Sequence, residues 1–193
     1  MKCIASIAAA LVIHDLFVSA IDFSGPVVQN TKPARWGYRI SDPRMVDCDR
    51  WADQWETCGG VRQSPINIVP SKTVQRQKNP LVFSGMCSHF NLSAPHEPLQ
   101  ANQLGGNCGV YLQDVFYMLA HFHLHAPSEH TINGKAMSGE IHFVHKSSVS
   151  DDLLVIGVFL VIDVTSDPWL APLLDALEQV NSAAQTEAVL VQL

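Results

Sequence analysis

The chain has 193 residues, 47% of them apolar and 16% charged, and a formal net charge of −6. These values describe one globular domain with room for a core and exclude a disordered chain. The acidic balance, with no basic run or aromatic-interleaved patch, argues against a nucleic-acid partner. No segment reaches the roughly 20 consecutive apolar residues that a spanning helix needs.

Residues 1–20 read as a secretory signal peptide. Lys2 is the positive start, residues 4–12 are apolar, and Val18-Ser19-Ala20 resembles a small-residue cleavage site, with His14 and Asp15 interrupting the apolar region. One domain is expected over 21–193, secreted to the extracellular side. Without Cys3, four cysteines remain, Cys48, Cys58, Cys87 and Cys108. An oxidising compartment favours disulfides, and four cysteines permit three pairings. Cys87 with Cys108 is favoured, because the segment between them can close a loop beside a strand. Asn91-Leu92-Ser93 is a glycosylation acceptor motif.

Residues 21–60, with three prolines, two single glycines, Gly59-Gly60 and Trp36, Trp51 and Trp55, read as an irregular segment. Ser64-Pro65 marks a turn and Ile66-Asn67-Ile68 a short strand. From residue 81 the pattern is β, with short strands at 81–83 and 89–92. The glycine-rich stretch 99–109 reads as a turn or bulged edge. Gln113-Asp114 turns into a long strand over 115–125. Its alternation puts Phe116, Met118 and Ala120 on one side and Tyr117, Leu119, His121, His123 and His125 on the other. Asn133-Gly134 is a hairpin turn. Strands follow at 140–145, with Glu140, His142 and Val144 on one face, and at 153–164, a central strand apolar on both faces. Asp167 caps a helix with Pro168 in its first position and Leu170, Leu173, Leu174 and Leu177 at helical spacing. Residues 188–193 read as a last strand.

Six of the nine histidines fall between His121 and His145. On a strand, His123 and His125 point the same way. A neighbouring strand can add His142, which shares its face with Glu140, the kind of carboxylate that orients a ligating imidazole. Three neutral nitrogens with one open position describe a catalytic Zn2+ site, with copper or nickel as alternatives.

At these residues the chain resembles the α-type carbonic anhydrases. The motifs are Trp36-Gly37-Tyr38, Gln63-Ser64-Pro65-Ile66-Asn67-Ile68, Phe122-His123-Leu124-His125, Ser128-Glu129-His130-Thr131, Gly134-Lys135, Glu140-Ile141-His142-Phe143-Val144-His145 and the strand 154–160. The resemblance covers roughly residues 35–180 and implies a mainly β (α+β) fold, a central twisted, mostly antiparallel sheet with peripheral short helices. It implies that His123, His125 and His142 bind Zn2+, that Glu140 orients the third ligand, and that Glu129 orients a zinc-bound hydroxide through a threonine. Val144 and Val155 then form the apolar wall for carbon dioxide. The implied reaction is reversible hydration of carbon dioxide to bicarbonate and a proton by attack of zinc-bound hydroxide.

The chain also departs from that pattern. Asn107 falls at or near the position of a proton-shuttle histidine and cannot titrate near neutrality; His89, His96 or buffer are then the routes for the proton. His121 replaces a common Gln and can donate to a ligand or titrate. Ala126 replaces a bulky aromatic. The family's Leu-Thr-Thr-Pro-Pro segment and its following strands do not occur before Leu193, so an incomplete domain with its last strands missing is expected, with Cys58 unpaired. A zinc-binding but weakly active or inactive relative is therefore the alternative function. The run His123-x-His125-x-x-x-Glu129 also matches the first motif of cupin metal sites, with Glu129 as a ligand, but the second cupin motif is missing around His142.

Overall fold

The computed structural model describes residues 2–13, 35–36, 45–46, 48–72, 80–93, 99–182 and 189–192. The chain divides into two compact units, 16–64 and 1–15 with 65–193. In the smaller unit, β2 (Arg35–Trp36) pairs in parallel with β3 (Met45–Val46). A 3-10 turn, Cys48–Arg50, leads into the four-residue α1 (Trp51–Gln54), and Trp51 Nε1 donates to the carbonyl of Val46 at 2.9 Å. Gln63 Nε2 donates to the carbonyls of Thr57 (2.9 Å) and Gly60 (3.0 Å). Cys48 and Cys58 are exposed and in no disulfide. Gly37 and Tyr38 of the entry motif lie outside the described residues, as do His96 and the expected cleavage site at Val18-Ser19-Ala20.

The larger unit is built on strand pairing. Its strands are β1 (Lys2–Ile13), β4 (Asn67–Ile68), β5 (Val82–Ser84), β6 (His89–Ser93), β7 (Leu99–Gln103), β8 (Gly109–Leu112), β9 (Val115–His125), β10 (Thr131–Ile132), β11 (Lys135–Ala136), β12 (Gly139–Ser147), β13 (Leu153–Asp163) and β14 (Val189–Gln192). Nine of them form one antiparallel sheet, in the order β1-β13-β12-β9-β7-β6-β14, with β8 also pairing β9 and β5 pairing β8. A segment of the expected leader, Lys2–Ile13, lies as β1 along β13. The turns are those the sequence dictates: Gln113, Asp114, Asn133 and Gly134 all have positive φ, the conformation a tight hairpin requires.

The register sorts the two faces. Leu92, Ala101, Phe122, Phe143 and Ile156 are successive cross-strand partners on β6, β7, β9, β12 and β13. Leu92, Ala101 and Phe122 are completely buried. The helix α2 (Leu170–Ser182) covers this face with Leu170, Leu173, Ala176 and Val180, and Trp169 packs against Phe122 at 5.7 Å. Asp167 caps as its chemistry suggests, its Oδ1 accepting the Trp169 N–H at 3.0 Å, and a turn at 168–169 delays the helix to Leu170. One residue along each strand, Gln100, His123, His142 and Gly157 form a second row on the opposite face.

Two expectations are corrected. The stretch beginning at residue 99 is no turn at its start: Leu99–Gln103 is a strand held between β6 and β9, although Gln and Asn favour strands weakly. The alternation over 115–125 also breaks. Val144 faces His121 while His145 faces Leu119, so Ala120 is a bulge residue. Leu119 consequently joins the Phe122 core instead of sharing the face of His121.

Cys87 and Cys108 are bridged, a separation of 21 residues. Closing a loop of this length restricts the unfolded chain. Replacing both cysteines with serine is expected to lower unfolding free energy by about 3 kcal/mol, read from urea denaturation.

Candidate metal centre

The pairing of β9 with β12 sets His123 directly opposite His142 and His125 opposite Glu140. The ring centroids of His123, His125 and His142 are 4.7–5.2 Å apart. One ring nitrogen from each lies within 4.8 Å of the others. Zinc bonds of about 2.0–2.1 Å in tetrahedral array set donors about 3.3–3.4 Å apart, so the three rings lie within small rotations of a common ion. Nε2 of His142 is buried and faces Glu140 Oε1 at 3.0 Å. With Nε2 beside that carboxylate, Nδ1 is the nitrogen left for an ion. Burial, then the neighbouring imidazoles His125, His142 and His121, push the His123 pKa down to about 3. Burial also lowers that of His125, against the opposing charge of Glu129. Neutral imidazole is the ligating form. The residues present fit a zinc ion.

Glu140 is the anchor behind this set. It is 1% exposed. Its Oε2 accepts the backbone N–H groups of Glu129 (3.0 Å) and His130 (2.9 Å), and its Oε1 lies 2.6 Å from His130 Nδ1. Burial alone would raise its pKa; the hydrogen bonds from His130 and His142 outweigh that and hold the carboxyl well below the ordinary range. The loop carrying Glu129 and His130 is itself tied down. Ser128 Oγ donates to the carbonyl of His130 (2.7 Å) and accepts the Met137 N–H (2.8 Å). Asn67, in the Gln63–Ile68 motif, accepts the Thr131 hydroxyl (2.9 Å) and the Gly134 N–H (2.7 Å) through Oδ1.

Three residues at the site carried no assignment from the sequence. His130 sits in a quoted motif, but it lies off the strands whose alternation locates the other histidines. Gly157 lies opposite His142 on β13, where a Cβ would stand 2.6 Å from Glu140 Oε1. A lone glycine inside an apolar strand, the signature of close approach, is the signal that could have found it. Gln100, opposite His123, donates to Asn102 at 2.7 Å beside the site and was concealed by the turn reading.

The remaining residues sort by place. Glu129 Oε2 lies 3.2 Å from His125 Nε2 and 3.6 Å from His142 Nδ1. His121 stacks on His123 at 5.3 Å, faces Val144, and has its pKa lowered by burial. Val144 and Val155 are cross-strand partners on the histidine face. Asn107 is exposed beside Gly85, next to the disulfide. The neighbouring Cys108 accepts the Leu119 N–H through its carbonyl at 3.0 Å. His89 is exposed on β6, and its Nδ1 lies 3.0 Å from Ser88 Oγ. His145 is buried with Nδ1 donating to the carbonyls of Phe143 and Leu154, and burial lowers its pKa. Asn91 is half-buried within β6, opposite Asn102.

Gly157→Ala is expected to push Glu140 off His142 and weaken zinc binding about 10–100-fold in a chelator competition, with the circular dichroism of the sheet kept. Metal-free protein is expected to lose stability on acidification. The unfolded chain protonates its histidines near pH 6.5 while native His123 resists to about 3, so unfolding releases sites that take up protons. Stability present above about pH 6.5 falls toward pH 3, seen as a falling urea midpoint.

The sequence profile of the family described as eukaryotic-type carbonic anhydrase matches residues 46–193. Alpha carbonic anhydrase 8 of Arabidopsis thaliana is 32% identical over 170 residues, 86% of this chain and 40% of that protein. Dioscorin DB3L of Dioscorea polystachya is 26% identical over 179 residues, 90% of this chain and 64% of its own. The chain thus spans 40–64% of the length of these two relatives. The solved structure of the Photobacterium profundum alpha-carbonic anhydrase superposes with a TM-score of 0.65 at 27% identity, over 82% of this chain and 67% of that one. With three histidines converging on one point from β9 and β12 and a profile match over most of its length, this chain belongs to the eukaryotic-type carbonic anhydrase family.

Proposed function

We propose that this protein catalyses the reversible hydration of carbon dioxide to bicarbonate and a proton with a zinc ion held by His123, His125 and His142. The observation that carries the proposal is the convergence of these three imidazoles, with the Glu140 carboxylate 3.0 Å behind His142. Zinc bound to three imidazoles supplies a water acidified to a pKa of about 7, as known for carbonic anhydrases at large.

The chain's own groups then divide the work. Glu140 orients His142 and raises its basicity as a ligand. Val144 and Val155, two residues along their strands from His142 and Gly157 and so on the same face, give an apolar wall that suits a nonpolar substrate. His121, stacked on His123, steadies that ring. Glu129 reaches the histidine nitrogens and can orient a group placed among them. The exposed imidazole of His89 is a route for the released proton, and Asn107 serves the turn beside the disulfide. Entry to the secretory route through residues 1–20 belongs to the proposal. Lys2 with the apolar run after it supports it, and the Cys87–Cys108 bridge suits an oxidising compartment. Among the described residues no helix is long and apolar enough to cross a membrane.

The approach of Glu129 Oε2 to two ligand nitrogens favours a second reading, a zinc-binding protein of little turnover. Zinc content and carbon dioxide hydration measured on the same sample separate the two. The proposal expects about one zinc per chain together with hydration, and zinc without hydration supports the second reading. His142→Ala is expected to lower zinc content at least about tenfold and to abolish hydration with it. Hydration that survives the loss of zinc would sink both.

A further inference from the structure

We infer that the Cys87–Cys108 bridge is a thiol–disulfide exchange site, where an incoming thiolate attacks Cys108 Sγ and Cys87 departs as a hydrogen-bonded thiolate. The observation behind it is an asymmetry between the two sulfurs. Cys87 Sγ accepts two N–H groups, from Gln103 Nε2 at 3.1 Å and from the Cys108 backbone at 3.2 Å. Among the described residues none donates to Cys108 Sγ. A disulfide sulfur accepts hydrogen bonds weakly, whereas a thiolate carries a full charge that the same donors stabilise. The two N–H groups therefore bind more strongly as the S–S bond opens toward Cys87. They make Cys87 the better leaving group, and the leaving thiol governs which sulfur is attacked fastest.

The fold holds these donors in place. Gln103 ends β7, and its Nε2 also donates to the Gly106 carbonyl at 3.1 Å, which fixes the amide against the loop. Gly85 and Gly106 have positive φ, and a Cβ on either would meet facing backbone at 2.5 Å. Glycine at both positions lets segments 85–87 and 106–108 close on each other around the bridge. Both cysteines are half-buried, while Met86, Leu104, Gly105 and Asn107 beside them are exposed. Segments 84–89 and 103–109 carry no acidic or basic side chain apart from His89, so an anionic thiolate meets no carboxylate from either of them. In the first step the thiolate sulfur bonds to Cys108 Sγ as the Cys87–Cys108 bond breaks, and the electron pair of that bond passes to Cys87. The product is a mixed disulfide at Cys108 and a thiolate at Cys87. A second thiolate then attacks the outer sulfur of the mixed disulfide and releases Cys108. Two thiols are oxidised to one disulfide, and the protein takes up two electrons and two protons.

The test uses the full chain with its free thiols, Cys48 and Cys58 among them, first blocked by N-ethylmaleimide. Reduced glutathione is the probe, iodoacetamide the quench, and peptide mass spectrometry locates both adducts. The expected product carries glutathione on Cys108 and the alkyl group on Cys87, at least about tenfold over the reverse. Gln103→Leu is expected to lower that ratio at least about threefold and to slow opening of the bridge by a similar factor. Glutathione shared equally between the two cysteines, or found mainly on Cys87, overturns the inference. So does a bridge that stays closed in glutathione until urea unfolds the chain, and so does a Gln103→Leu protein with the ratio and rate of wild type. The wild-type adducts decide by themselves if the variant does not fold, and none of these results bears on zinc binding or hydration.

Discussion

The antiparallel register between β9 and β12 is the constraint on which the site depends. It sets His123 against His142 and His125 against Glu140. Because side chains alternate, a slip of one residue would carry the imidazoles to the face packed under α2 and send Phe122 and Phe143 to the other side. The register is therefore fixed by the core as much as by the site. The row of Leu92, Ala101, Phe122, Phe143 and Ile156 loses its burial if any strand shifts. Hydrophobic packing on one face locates a polar constellation on the other, and the two share one backbone ladder.

A buried carboxylate normally costs free energy unless it is paired and hydrogen-bonded. Glu140 meets that condition with contacts to His142, to the His130 ring and to two backbone amides. The same contacts link strand and loop. By accepting the amides of Glu129 and His130, Glu140 fixes the segment that carries Glu129 above the histidines. By facing His142, it selects which nitrogen is left for an ion. Gly157 keeps a third strand out of the way. A single carboxylate thus connects β12, the loop after β9 and, by absence of a side chain, β13.

The bulge at Ala120 shows how the same strand serves two environments. Before it, Leu119 belongs to the core under the helix; after it, His121, His123 and His125 line the opposite face with Phe122 turned inward. One extra residue changes the phase of the alternation. The strand can then contribute core on both sides of the bulge while presenting three successive histidines to one surface.

Local chemistry by itself determined much of this protein. The periodicity of 115–125, 140–145 and 153–164, the positive-φ turns at Gln113-Asp114 and Asn133-Gly134, the Asp167 cap and the spacing of His123, His125 and His142 all depend on neighbours in sequence. Residue order alone therefore makes them legible. The Cys87–Cys108 pair was legible because the chain between them closes as a loop. Tertiary structure alone decided the rest, because the deciding contacts join residues far apart in the chain. Gln100 and Asn102 form a strand only because β6 and β9 flank them. The shift at Ala120 is set by its partner strand. His130 gains its role from Glu140, ten residues later, and Gly157 from a carboxylate on the next strand. The nearness of Glu129 to the histidine nitrogens arises from how a strand and a turning loop meet in space, and pattern along the sequence carries no record of that.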